Sequence, residues 1–113
     1  MRLTIRSDDF GRMICAIASG ESEAVVTSAE FSDAAAALSK AIDELESGGT
    51  SECYWPEGVG EYRWVFRRVE DRVRIVVLWS TGTMTGWEHV FWAETGYDPF
   101  VAQIRAGLNA VSI

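Results

Sequence analysis

The sequence predicts an α+β protein: an antiparallel sheet of about six strands with two helices packed on one face, in the order βββαβββα. Three observations carry this expectation. Short apolar or alternating runs are separated by Gly- and Ser-containing turns, two segments repeat their apolar residues at helical spacing, and one long stretch folds back on itself in register. At 113 residues the chain is read as a single domain, residues 1–113, with no repeat period or low-complexity linker.

The elements follow in order. Leu3 and Ile5 alternate with Thr4 and Arg6, and SDDFG then makes a turn, so the chain opens on a short strand. MICAIA and EAVVTSAEF read as a second and third strand, joined by a glycine-containing turn at Ser19 to Ser22. A helix is expected from Phe31-Ser32-Asp33, with Ser32 as its cap and Asp33 at the positive end of the dipole. Ala34, Leu38, Ala41, Ile42 and Leu45 form its apolar stripe, and Ser47-Gly48-Gly49 ends it.

The stretch EYRWVFRRVEDRVRIVVLW, residues 61–79, predicts a hairpin turning at Glu70-Asp71. That register faces Phe66 with Ile75, Trp64 with Val77 and Tyr62 with Trp79 on one side, and such cross-strand pairs stabilise antiparallel strands. The reverse side pairs Arg63 with Leu78, Val65 with Val76 and Arg67 with Arg74. Glu-Asp is not the preferred two-residue turn sequence. After the loop STGTMTG, WEHVFWAE supplies the last strand, with either Val90 and Trp92 or Phe91 and Ala93 on the helix-covered side. Either way a large ring remains on the other side, beside Val65, Val76 and Leu78. Asp98 and Pro99 open a second helix, whose stripe is Phe100 or Val101, then Ile104, Leu108 and Val111.

Composition narrows the function. The net charge is −7, with eleven acids and four bases in residues 1–57 and six of each in residues 58–113. An acidic chain has no general affinity for nucleic acid or for an anionic membrane, so neither is expected as a partner. No run approaches the ~20 apolar residues of a membrane span. The opening MRLTIRSDD meets acid by position 8 and has no apolar signal core, so a cytoplasmic location is expected. Cys15 and Cys53 are expected to be buried free thiols.

Catalytic groups are scarce. His89 is the single histidine and lies in a predicted strand, no G-x-S-x-G elbow occurs, and the two cysteines lack zinc-ligand spacing. Asp8-Asp9 reads as a solvated turn. GVGEY and TGTMTG lack the following helix and lysine of a phosphate loop. Glu52, Glu57, Glu61 and Glu88 could gather at one end of the sheet. No catalytic, cofactor-binding or metal residue is assigned, no cofactor is expected, and the chain is read as a non-enzyme.

What remains is surface. Five arginines fall in residues 61–79 of a chain with a single lysine. Arginine suits bidentate recognition and stacking, and Trp, Tyr and Arg are the usual anchors of protein interfaces. Arg63, Arg67 and Arg74 on the outer hairpin face, with Trp55 and Trp87 on flanking loops, are the candidate partner-binding residues. The solvated-face and core-lid readings of the same residues are the alternatives.

EFSDAAAALSKAIDELESGG, EYRWVFRRVEDRVRIVVLW and the closing DPFVAQIRAGLNAV together resemble the layout of small bacterial immunity proteins. The resemblance implies a compact acidic protein that neutralises a cognate toxin by binding it, and transfers no site residue. The leading expectation is therefore a non-catalytic protein-binding module, with a hetero-partner or a second copy of itself on the mixed face. A small-ligand-binding domain, its apolar pocket lined by Tyr54, Trp55, Trp87 and His89, is the second reading. An enzyme, which would need a carboxylate cluster near His89, is the third.

Overall fold

A computed structural model describes residues 1–81 and 86–111. The α+β class holds, but the single six-stranded sheet does not. Seven strands form two antiparallel sheets: β1 (Arg2–Ser7), β2 (Met13–Ser19) and β3 (Ser22–Ser28) in one, β4 (Thr50–Glu57), β5 (Gly60–Val69), β6 (Arg72–Ser80) and β7 (Glu88–Gly96) in the other. Each sheet runs in sequence order, and helices α1 (Phe31–Gly48) and α2 (Tyr97–Val111) close the two halves. Residues 82–85 of the STGTMTG loop lie outside the described residues.

The extra strand is β4. Its TSECYWPE places Cys53 and Trp55 inward and Glu52 and Tyr54 outward, and it pairs with β5 from Thr50↔Arg67 to Glu57↔Gly60. The Tyr-Trp-Pro sequence suggests a loop, but proline is tolerated on an edge strand, and β4 is an edge. The hairpin β5–β6 has the expected register, Phe66↔Ile75, Trp64↔Val77 and Arg67↔Arg74 included. Glu70 takes the left-handed conformation at its turn, with φ 58°. Between Val77↔Phe91 and Leu78↔His89 the register shifts, leaving Val90 as an extra residue. This bulge settles the last strand: Phe91 and Ala93 are buried, and Trp92 faces out.

The inward faces of both sheets and the stripes of both helices share one core. Ile5, Met13, Cys15, Ile17 and Val26 come from the first sheet, and Trp55, Trp64, Phe66, Ile75, Val77 and Phe91 from the second. Helix α1 contributes its expected five residues; α2 contributes Phe100 rather than Val101, with Ile104 and Leu108. Helix α1 begins earlier than its sequence suggests: Glu30, not Ser32, is the cap, without a side-chain cap bond. Gly49 ends it at φ 80°, its N–H donating to the Leu45 carbonyl. Arg105 ties the helices together, donating to Asp43 at 3.0 Å and Glu46 at 2.6 Å.

The two sheets are joined at the β3–β4 corner. Ala29 N–H and the Ser28 hydroxyl donate to the Pro56 carbonyl at 3.2 and 3.0 Å. Arg12 and Thr27 both donate to the Glu57 carboxylate. Asp8 holds the preceding turn through the Phe10 and Arg12 amides, at 2.9 and 3.0 Å. No described helix is long and apolar enough to cross a membrane.

Candidate functional site

The outer face of β4–β7 follows from the register. Its rows read Tyr54, Arg63, Leu78 and His89; Glu52, Val65, Val76 and Trp92; Thr50, Arg67, Arg74 and Glu94; Glu61 and Arg72 lie on the same face at its two ends. Alternation puts the apolar neighbours of these residues along each strand into the core, so the outer side chains meet solvent. Val65, Val76 and Leu78 are half-buried, and Trp92, opposite Val76, keeps 53% of its surface exposed. A large indole left out beside three aliphatic side chains is an unfilled apolar patch rather than a wet strand face.

Arg63 stands at one end of this patch in a built environment. Its Nε donates to Glu52 Oε2 at 3.0 Å, and the Tyr54 hydroxyl donates to Glu52 Oε1 at 3.3 Å. The guanidinium lies 5.9 Å from the Tyr54 ring centre and 5.7 Å from that of Trp87. The two rings are 6.2 Å apart and tilted by 46°. Both guanidinium distances fall within the reach of a cation–π attraction. The hydrogen bond to Glu52 raises the Arg63 pKa above its ordinary value, so the group keeps its charge. Three large side chains are thus held against one another and against Glu52 within the chain itself.

At the other end, Arg74 and Arg72 share Glu94. Their Nε atoms donate to its two oxygens at 2.9 and 3.2 Å. The Arg74 bond, then the Arg72 bond, hold the Glu94 carboxyl below the usual carboxylate range. Arg67, directly across from Arg74, makes no ion pair among the described residues. Four arginines, Arg63, Arg67, Arg72 and Arg74, share this face with three glutamates, Glu52, Glu61 and Glu94, a small positive excess on a negative molecule.

Of the residues proposed from sequence, Arg63, Arg67, Arg74 and Trp87 reach this face. Trp55 does not. It is fully buried against Trp64, with ring centres 5.1 Å apart, because strand alternation turns it inward and its neighbour Tyr54 outward. Arg68, on the inward side near the turn, acts locally. Its guanidinium lies 3.8 Å from the Tyr97 ring centre, and its Nε donates to the Glu70 carbonyl at 2.8 Å. Sequence reasoning misses Glu52, Tyr54 and Glu94 as members of the face. Their signal is the two-residue alternation of SECYWPE and the opposition of Glu94 to Arg74.

The other expectations separate spatially. Tyr54 and Trp87 face out while Trp55 faces in, so these rings do not line one apolar pocket. Glu52 pairs with Arg63 and Glu57 with Arg12, so the four glutamates do not form a cluster. Cys15 and Cys53 are buried and free, and burial pushes both thiols up to about 12. Among the described residues no group of three His, Cys, Asp or Glu converges as a metal site. Comparison with protein-family models, with curated proteins and with solved structures found no match to this chain.

Proposed function

We propose that the chain is a small non-catalytic protein-binding module that uses the outer face of the four-stranded sheet, in the manner of an immunity-type inhibitor of a cognate toxin. The observation that carries the reading is the Tyr54–Arg63–Trp87 cluster next to an exposed Trp92. Tyr, Trp and Arg dominate interface hot spots because they bury large areas with few freely rotating bonds and can still hydrogen-bond. Here Glu52 and the two rings have already ordered the arginine, which lowers the entropy lost on docking. The −7 charge speeds encounter with a basic partner, while the local positive face receives that partner's carboxylates at Arg67 and Arg74.

The test is affinity for a toxin encoded beside this chain's gene, measured by calorimetry. Arg63→Ala and Trp87→Ala should each weaken binding by about 30-fold or more, the scale of a hot-spot loss of ~2 kcal/mol. Arg67→Ala/Arg74→Ala should weaken it and reduce its salt dependence. A partner bound equally well by all these variants would remove the face from the interface.

A further inference from the structure

The outer face of the three-stranded sheet carries a second, independent surface. Its register sets out three rows: Arg2, Ala18 and Glu23; Thr4, Ala16 and Val25; Arg6, Ile14 and Thr27. The central strand offers Ala16 and Ala18 where the flanking strands offer longer side chains, so the face is a trough of about 540 Å³. Val25 stands at one wall with 58% of its surface exposed. Arg2 and Glu23 rise at opposite walls, and neither makes an ion pair among the described residues.

We propose that this trough is the interface of a homodimer, formed about a two-fold axis running along β2. Because β1 and β3 flank β2 on either side, that operation lays β1 of one copy over β3 of the other. Arg2 then meets the partner's Glu23, and Glu23 meets the partner's Arg2. Thr4 meets the partner's Val25, and the alanines meet along the axis. This is the reciprocal matching that an isologous contact requires. Ile14 meets the partner's Ile14 on the same axis, and the paired wall side chains set the spacing of the two sheets.

The charge layout selects this face over the other one. Applied to the four-stranded sheet, the same operation brings Arg67 against the partner's Arg74 and Glu52 against the partner's Trp92. Like charges meet there, so the mixed arginine face repels a copy of itself, whereas the trough attracts one. Self-association through the trough also leaves the arginine face open to a different protein.

The footprint sets the strength. Three strands ~4.8 Å apart, each of about six residues rising ~3.4 Å, present on the order of 300 Å² per copy. A standard interface takes about 800 Å² per partner, so the dimer is weak and reversible.

Sedimentation equilibrium from low micromolar to millimolar protein tests the proposal. The expected result is a reversible monomer–dimer equilibrium that weakens with added salt. Arg2→Glu and Glu23→Arg should each weaken dimerisation by at least about tenfold, a change of ~1.4 kcal/mol. The double variant Arg2→Glu/Glu23→Arg should regain it. An equimolar mixture of the two single variants should form a heterodimer, because each supplies the charges the other lacks. Both positions are exposed, and circular dichroism of each variant checks its fold; if either single variant unfolds, the double variant and the salt series still decide. A monomer through millimolar concentration overturns the proposal. So does a dimer indifferent to all of these reversals, which places self-association on another face.

Discussion

Arg63 and Glu70 show how much a single position can hold in this chain. Arg63 is one of a row of arginines by sequence, and its surroundings come from three neighbours that only the folded sheet brings within reach: Glu52, Tyr54 and Trp87. Arg63, Arg67 and Arg74 were legible as one face because strand alternation is strict. Trp55 and Trp87 were not separable, since without the β4 assignment nothing said which ring turned inward. Glu70 carries a different cost. It is the non-glycine residue with positive φ among those described, at 58°. The left-handed region costs a residue with a Cβ about 1–2 kcal/mol. Glycine removes that cost but loses about 0.5–1 kcal/mol more chain entropy on folding. Glu70→Gly is therefore expected to stabilise the protein by about 0.5 kcal/mol. A higher urea midpoint at unchanged slope checks it, and a lower midpoint would show that the turn is not strained. Arg68 bonds the Glu70 carbonyl, not its side chain, so this contact survives the change.

At the scale of elements, the hairpin β5–β6 was readable to the residue because one register satisfies three aromatic and β-branched pairs together. The helices were readable from their apolar stripes, but the cap of α1 was not, as no side chain makes the cap bond. The division into two sheets was not readable either. It depends on β4 pairing with β5 alone and on hydrogen bonds at Pro56, long-range contacts with no local signature. The turn that joins β4 to β5 carries a sharp sequence requirement of its own. In EGVG, Gly58 has φ 59° and open space around it, whereas Gly60 lies against β6. A Cβ on Gly60 would sit 2.3 Å from the Ser80 carbonyl oxygen and 2.7 Å from the Trp79 ring. One of these is backbone, so the strands must part. Gly60→Ala is expected to cost about 2–3 kcal/mol, the upper range of overpacking. Gly58→Ala carries only conformational strain, about 1–2 kcal/mol. Thermal unfolding of the two variants ranks them, and equal melting temperatures would refute the steric account of Gly60.

The whole molecule distributes its charge and its thiols differently. Acidic residues gather in the first half, while four of the ten basic residues share one outer sheet face. The thiols lie inside, Cys15 on the first sheet and Cys53 on the second, so their protonation reports on the shared core. Burial raises both to about 12, and Glu44 and then Glu52 add to the effect at Cys53. An unfolded chain releases the same protons near ~8.5. Below that pH both states hold them, and the contribution to stability is complete. Above it the unfolded chain binds fewer protons than the native one, so stability falls as pH rises, until the native thiols also ionise. The slope is about 1.4 kcal/mol per pH unit for each thiol, or about 3 for the pair. Burial, and then the charge of Glu57, also raise Tyr62, which extends the loss to higher pH in the same direction. Over the roughly 3.5 pH units between the free-thiol value and about 12, the pair removes at most about 10 kcal/mol, a large share of a typical domain stability of about 5–15 kcal/mol. Urea titrations at successive pH values should therefore give a plateau near neutrality and a decline above about pH 8.5. Cys15→Ala/Cys53→Ala should lie lower on the plateau, through lost packing, and decline less steeply. A wild-type profile that stays level well beyond the free-thiol value would mean that neither thiol is held in the core.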